Sequence, residues 1–243
     1  MAKQPHLLVE EGDVNDVVLL PGDPGRVDAI AEHLESAVRL SDNREYRVVN
    51  GRYGDTELTV CSTGVGCPGA AVAVEELLAV GASTFLRVGT TGGLQEDVRP
   101  GDVVVATAAA KFEGTTKRYE SVEYPAAASH EVVSAVLQAV ERRDEEAHVG
   151  PVVTDDAFYA EEEPASDWME AGMLAVEMEA SAIFTLARRY DAEAGAILAV
   201  DGNLVYGEQK GETEDDELGE EAREGVEREI GVALEAASML QRR

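Results

Sequence analysis

The sequence predicts a single α/β domain over residues 1–243, with a central β-sheet covered by helices. Three observations carry that prediction. Short apolar runs rich in Val, Ile and Leu alternate with segments of helical spacing along the chain. Several of those runs end in glycine-rich turns. The 243 residues are 44% hydrophobic, enough for one sizeable core, and no repeat or Pro/Ser linker divides them.

The elements follow in order. "DVVLLPGD" (16–23) is an apolar strand closed by a Pro/Gly turn, and "GRVDAIAEHL" (25–34) spaces Val27, Ile30, Ala31 and Leu34 as a helix does. "EYRVVN" and "ELTVCST" flank "GRYGD" and read as a hairpin. A helix over 69–81 precedes strands at 84–89 and 101–110. Next come a helix at 129–143, a strand at 147–155 and an irregular acidic segment at 160–167. "MLAVEMEASAIFTLARRY" (173–190) has helical spacing, and "GAILAV" (195–200) is a buried strand. The last helix, about 217–240, turns Val226, Ile230, Leu234, Ala237 and Met239 or Leu240 inward. The acidic stretch 208–224 reads as a solvated loop and helix start, since acids favour a helix N-terminus.

Composition excludes several classes. There is no apolar run long enough for a transmembrane helix and no apolar signal region at the N-terminus, which points to the cytoplasm. Cys61 and Cys67 are too few for a disulfide framework and read as free thiols, while the four His are scattered without metal-ligand spacing. No metal site is expected. Against 20 Lys+Arg stand 49 Asp+Glu, a net charge of −29 that repels nucleic acid and anionic membranes. The acid is dispersed and lysines are rare (Lys3, Lys111, Lys117, Lys210), a pattern suited to concentrated salt, where screening is short-ranged.

"TVCSTGVGCPGA" (59–70) contains G-x-G-x-x-G after an apolar run, the spacing of a dinucleotide-binding turn. That reading also requires an acid at the end of the following strand, to take a ribose hydroxyl. The strand here is "TFLRVGTTGG", which ends in Gly89-Thr90-Thr91, so a dinucleotide is disfavoured. Arginines beside glycine-rich turns offer a better reading: Arg26 after "LLPGDPG", Arg44 in "NREY" and Arg87 on the apolar strand Phe85-Leu86-Arg87. A buried guanidinium is costly unless it meets an anion or a carboxylate. One such arginine fits a structural ion pair; three beside Gly-rich turns, with hydroxyls at Thr90 and Thr91, fit an oxyanion site.

"LLPGDPGRV", "NREY", "CSTGVGCPGAAVAVEEL", "TFLRVGTTGG", "FY" and "VEMEA" occur in the order found in nucleoside phosphorylases. From His6 to about Asn203 the chain resembles the uridine/purine phosphorylase superfamily, with "GTTGG" nearer the uridine branch. The resemblance implies a three-layer sandwich with a mixed sheet, and the reaction nucleoside + phosphate ⇌ base + ribose 1-phosphate. Phosphate is the co-substrate and no cofactor is required. It implies phosphate contacts from Gly22, Arg26, Arg87 and Thr90, with Arg44 supplied by a neighbouring subunit. His6, also from across a dimer interface, Glu177, Met178 and Glu179 match ribose-site positions; Phe158, Thr91, Gly92 and Glu162 fall at the base. Arg87, Glu179 and Asp201 are the catalytic candidates, although by direct count the acid of purine phosphorylases falls on Gly202. Shared sites imply a homo-oligomer, a hexamer built from dimers.

The chain also departs from the family. The Gln and Arg that read uracil are replaced in "FYAEEEPASDW", where Glu162 and Pro164 fall. A monovalent-cation site matches Glu45 but finds Gly69 where a serine belongs, which weakens potassium binding. Uridine is the expected substrate by resemblance. Guanosine or inosine is the alternative, because a carboxylate at the base accepts N–H donors. A hydrolytic nucleosidase of the same fold lacks the phosphate arginines that are present here.

Overall fold

A computed structural model describes residues 3–207 and 219–240. Nine strands form one sheet in the order β2-β3-β4-β1-β5-β8-β7-β6-β9, and β9 also pairs with β5. The strands are β1 (Val17–Leu20), β2 (Glu35–Asn43), β3 (Tyr46–Tyr53), β4 (Thr56–Cys61), β5 (Thr84–Gly93), β6 (Val103–Phe112), β7 (His148–Asp155), β8 (Ala175–Glu177) and β9 (Glu193–Asn203). Six α-helices among the described residues cover them: α1 (Pro24–Ala31), α2 (Cys67–Ala79), α3 (His130–Arg142), α4 (Glu162–Glu170), α5 (Ala180–Arg189) and α6 (Glu220–Leu240).

The sheet is mixed, as the sequence led us to expect. β1 runs parallel to β4 and β5, and β5 parallel to β9, so these strands end along one edge. β8 runs antiparallel to β5, and β6 antiparallel to β9. The second β9 pairing closes β5, β8, β7, β6 and β9 into a ring, which leaves β2 at the open edge.

Alternation along β1 builds the layers. Val18 and Leu20 face one side with α2 and α5, where they meet Val74, Leu77, Ile183 and Phe184. Val17 and Leu19 face the other, with Val27 of α1, Val136 of α3 and Ile230 of α6. Each such side chain buried on both counts contributes about 1.5–3 kcal/mol of transfer free energy.

Three elements differ from the sequence expectation. β2 is an additional edge strand; "ESAVRLSDN" is mostly exposed and shows no apolar alternation, and pairing to β3 across two register shifts holds it. The acidic segment expected to be irregular at 160–167 instead begins α4, which runs on to Glu170, buries Ala165 and Trp168 and tolerates Pro164 in its first turn. The expected helix over 173–190 is split, because Ala175–Glu177 forms β8 between β5 and β7 before α5 begins at Ala180. A short apolar run fits a buried strand as well as a helix. The split has a local cause: the Glu177 carboxylate accepts the N–H groups of Glu179 and Ala180 and so caps α5. Of the stretch 208–224, residues 208–218 lie outside the described residues.

Candidate active site

A cavity of about 410 Å³ opens where the strand ends of β1, β5, β8 and β9 meet the loops after β1 and β4. Ligands of parallel sheets collect at such carboxyl ends. The two loops are tied together, since Thr63 N–H donates to Pro21 O at 2.9 Å and Gly64 N–H to Gly22 O at 3.0 Å. Asp23 caps α1 by accepting from Gly25 N–H at 2.9 Å, and Arg26 follows within the first turn.

The glycine motif now has a physical role. Gly66 sits at φ +88°, a conformation an L side chain rarely adopts, and its N–H donates to Glu179 Oε1 at 2.5 Å. The turn aims a backbone donor at a carboxylate.

Arg87 of β5 is buried between two acids of the β8–α5 turn. Its Nε donates to Glu177 Oε2 at 2.7 Å, and its Nη2 lies 2.5 Å from Glu179 Oε2. Its Nη1 is buried without a hydrogen-bond partner. The guanidinium folds over Gly89, where an added Cβ would stand 2.7 Å from Arg87 Cζ and would push the guanidinium out of this position. Burial alone would lower its proton affinity, but Glu179, Glu177 and Glu229 together raise it above the ordinary arginine value. Glu177 also accepts from Thr154 Oγ1 at 2.5 Å, and its side chain is fully buried. Its bonds orient Arg87 and the turn.

Behind the arginines stands Glu229 of α6. Its side chain is 0% exposed, its Oε2 lies 3.6 Å from Arg26 Nη1, and neither oxygen makes a well-formed hydrogen bond. Burial pushes its carboxyl up to about 8, against the opposing pull of Arg26 and Arg87.

The other end of the cavity is aromatic and acidic. Phe158 stands edge-on to Tyr159, with ring centres 5.1 Å apart, and lines the cavity with Glu161, Met178, Gly92 and Asp201. Burial raises the Glu161 carboxyl to about 7, with Asp155 and Asp201 adding to the effect. Asp201 occupies a bulge: Thr91 pairs with Val200 and Gly92 with Gly202, so Asp201 is the extra residue between them. That extra residue brings Asp201 to the cavity although counting along the sequence falls on Gly202. Thr91 spends its hydroxyl on Val176 O, at 2.6 Å.

Eleven of the residues singled out in the sequence line this one cavity: Gly22, Arg26, Arg87, Thr90, Thr91, Gly92, Phe158, Glu177, Met178, Glu179 and Asp201. Glu45, matched to a cation site, lines it too, and Gly69 does not. Three residues stand elsewhere in the single chain. His6 Nδ1 lies 2.6 Å from Glu76 Oε1, Arg44 is exposed at the β2–β3 turn with φ +57°, and Glu162 is exposed on α4. The acid that faces the cavity there is Glu161, one residue earlier. Sequence reasoning missed Glu161 and Glu229. Glu229 was findable as a carboxylate on the inward face of α6, beside Val226 and Ile230. Among the described residues no group of three or more His, Cys, Asp or Glu is arranged to hold a metal ion. No described helix is long and apolar enough to cross a membrane.

The Phosphorylase superfamily profile matches residues 16–238. The chain is 58% identical over 241 residues to a guanosine phosphorylase of Halorubrum lacusprofundi, covering 99% of this chain and 100% of that one. It is 40% identical over 219 residues to a uridine phosphorylase of Thermococcus kodakarensis, covering 84% and 79%. Among solved structures, a uridine phosphorylase of Vibrio fischeri superimposes with TM-score 0.90 at 34% identity, covering 98% of each chain. A purine nucleoside phosphorylase of Toxoplasma gondii in complex with immucillin-H gives 0.92 at 32%, covering 100% of this chain and 98% of that one. With its mixed sheet, its arginine-lined strand ends and these relatives, the chain belongs to the Phosphorylase superfamily.

Proposed function

We propose that this protein cleaves a ribonucleoside by phosphorolysis to free base and ribose 1-phosphate, with guanosine as the favoured substrate. The observation that carries the reading is Arg87: a charged guanidinium in the cavity wall, with a buried Nη1 that has no hydrogen-bond partner. A phosphate dianion supplies that partner, with Arg26, Thr90 and the Gly22 loop around it. Glu179 accepts the 2′- and 3′-hydroxyls of the sugar and fixes C1′ above the phosphate, so that displacement is in line. A phosphate oxygen forms the new bond to C1′ as the N-glycosidic bond breaks, and the departing electron pair goes to the base, which takes a proton. Glu161, its carboxyl raised to about 7 by burial, supplies that proton, and the Asp201 side-chain oxygens accept N–H groups of guanine. Inorganic phosphate is the co-substrate, and the chemistry asks for no metal or organic cofactor.

Guanosine is favoured because the described base end offers carboxylates and no amide side chain, and because the guanosine phosphorylase relative is 58% identical across nearly the whole chain. Uridine is the second reading, supported by several relatives named uridine phosphorylase. kcat/KM for guanosine, inosine, uridine and adenosine at saturating phosphate separates them. A uridine value tenfold above the guanosine value would reverse the order, a discrimination of about 1.4 kcal/mol.

The same reading extends to assembly. In one chain His6 and Arg44 stand away from the cavity, so their proposed contacts with ribose and phosphate are made to a neighbour's site, in a hexamer of dimers. Light scattering that finds an active monomer would remove both roles. The acidic, lysine-poor composition and the Halorubrum relative support a cytoplasmic enzyme of a salt-rich cell.

A further inference from the structure

The phosphate reading leaves the charge of the anion end unbalanced. Arg26 and Arg87 carry two positive charges, while Glu177, Glu179 and Glu229 around them carry three negative ones if all are ionised. Adding a dianion to that set would be opposed by low-dielectric repulsion. Glu177 is bound by four donors and Glu179 by Gly66 and Arg87. Glu229 is the exception. It is fully buried, makes no well-formed hydrogen bond, and sees Arg26 only at 3.6 Å. We propose that Glu229 is a positioning residue that takes up the proton when phosphate binds, so that the arginines turn their charge from Glu229 to phosphate.

The groups facing Glu229 support this. Arg26 of α1, Arg87 of β5 and the Gly89 N–H favour its ionised form, whereas Asp201 of β9 and burial oppose it. On its own helix Arg228 donates through Nη2 to Gly101 O at 2.5 Å. From α3, Arg142 pairs with Glu235 and Arg143 lies against Gly231, both farther along α6. Once phosphate draws on Arg26 and Arg87, their pull towards the ionised form weakens and burial prevails. The carboxyl stands at about 8 without phosphate, so the coupling shows above that pH. Below it Glu229 already carries the proton, and binding needs none from this residue.

The inference rests on the phosphate site proposed above, and calorimetric titration of inorganic phosphate into the protein without nucleoside tests it. The titration runs from pH 7 to 9.5 in molar KCl, using buffers of different ionisation enthalpy to count protons. The expected result is uptake approaching one proton per phosphate at pH 9 and above. Affinity then falls by about tenfold per pH unit there, the slope that one linked proton gives. In E229Q both the uptake and that slope disappear. Phosphate binding without proton uptake at pH 9.5, or an E229Q slope equal to that of the unsubstituted protein, would overturn the role of Glu229. The proton count of the unsubstituted protein decides the point even if E229Q fails to fold. Absence of phosphate binding at every pH would overturn the phosphate site itself and this inference with it.

Discussion

At the end of the cavity proposed to take phosphate, Arg87 rises from the central strand β5 and Arg26 from the first turn of α1, with Glu229 and Glu177 packed behind them. At the base end, Phe158 and Glu161 come from the turn leading into α4, and Asp201 from a bulge in β9. Arg87 is embedded in the core, whereas Phe158 and Glu161 at the other end are carried on a connection. Placing charge in a core obliges the sequence to supply partners, so the anion end is rigid in its chemistry. A loop-borne end is freer to change what it recognises without disturbing the fold.

Removing Arg87 should have the largest effect. Arg87→Ala leaves Glu177 and Glu179 buried without their cation, so it should cost about 3–5 kcal/mol of stability as well as catalysis. Phosphorolysis should fall by at least about 10³-fold in kcat/KM. Denaturation and initial rates at low phosphate check both, and near-normal activity would break the anion-end assignment. Glu179→Gln should be next, lowering kcat by about 10²-fold with a smaller change in KM, because sugar positioning counts most as the bond breaks. An unchanged turnover number would remove the ribose role.

The base end should respond in selectivity instead. Glu161→Gln should shift the guanosine-to-uridine ratio of kcat/KM by about tenfold while leaving the phosphate KM within a factor of two or so. A parallel loss on both nucleosides would show that Glu161 does not read the base. The same variant carries a pH signature. The Glu161 carboxyl is raised from 4.5 to about 7 on folding, so its contribution to stability is present below 4.5 and lost as pH climbs through 7. Glu161→Gln should therefore gain in melting temperature relative to the unsubstituted protein at pH 9 and lose that gain towards pH 5. Salt should have the mildest effect and should not separate the two ends. A net charge of −29 repels itself when unscreened, so the melting temperature should rise by several degrees between dilute buffer and molar KCl, at about 2–4 °C per kcal/mol for a chain of this size. A flat response would remove the salt-adaptation argument and leave the chemistry intact.

The two ends also differed in how far the sequence revealed them. Arg87 could be found because a charge on an apolar strand is conspicuous, and Glu179 because it follows a recognisable motif. Glu229 carries the same kind of signal, an acid on an apolar helix face, but it lay beside the acidic stretch that precedes it and merged with that background. At the base end the signal was weaker. Glu161 and Glu162 are neighbours in an acidic run, and which of them faces inward depends on where α4 starts. Asp201 reaches the cavity through a bulge, and a one-residue insertion in a strand has no mark in composition or periodicity. The central sheet covered by helices followed from the alternation of strands and helices, while β8 depended on a pairing partner far away in the chain, and β2 on its hairpin with β3, without apolar alternation to mark it.

The central claim is that Arg87 and Arg26 hold phosphate as a reactant. Its most direct test is guanosine cleavage with and without inorganic phosphate, following guanine and the sugar product together. The account predicts guanine and ribose 1-phosphate in equal amounts, with release that stops when phosphate is withdrawn. Guanine and free ribose formed at an undiminished rate in phosphate-free buffer would contradict it.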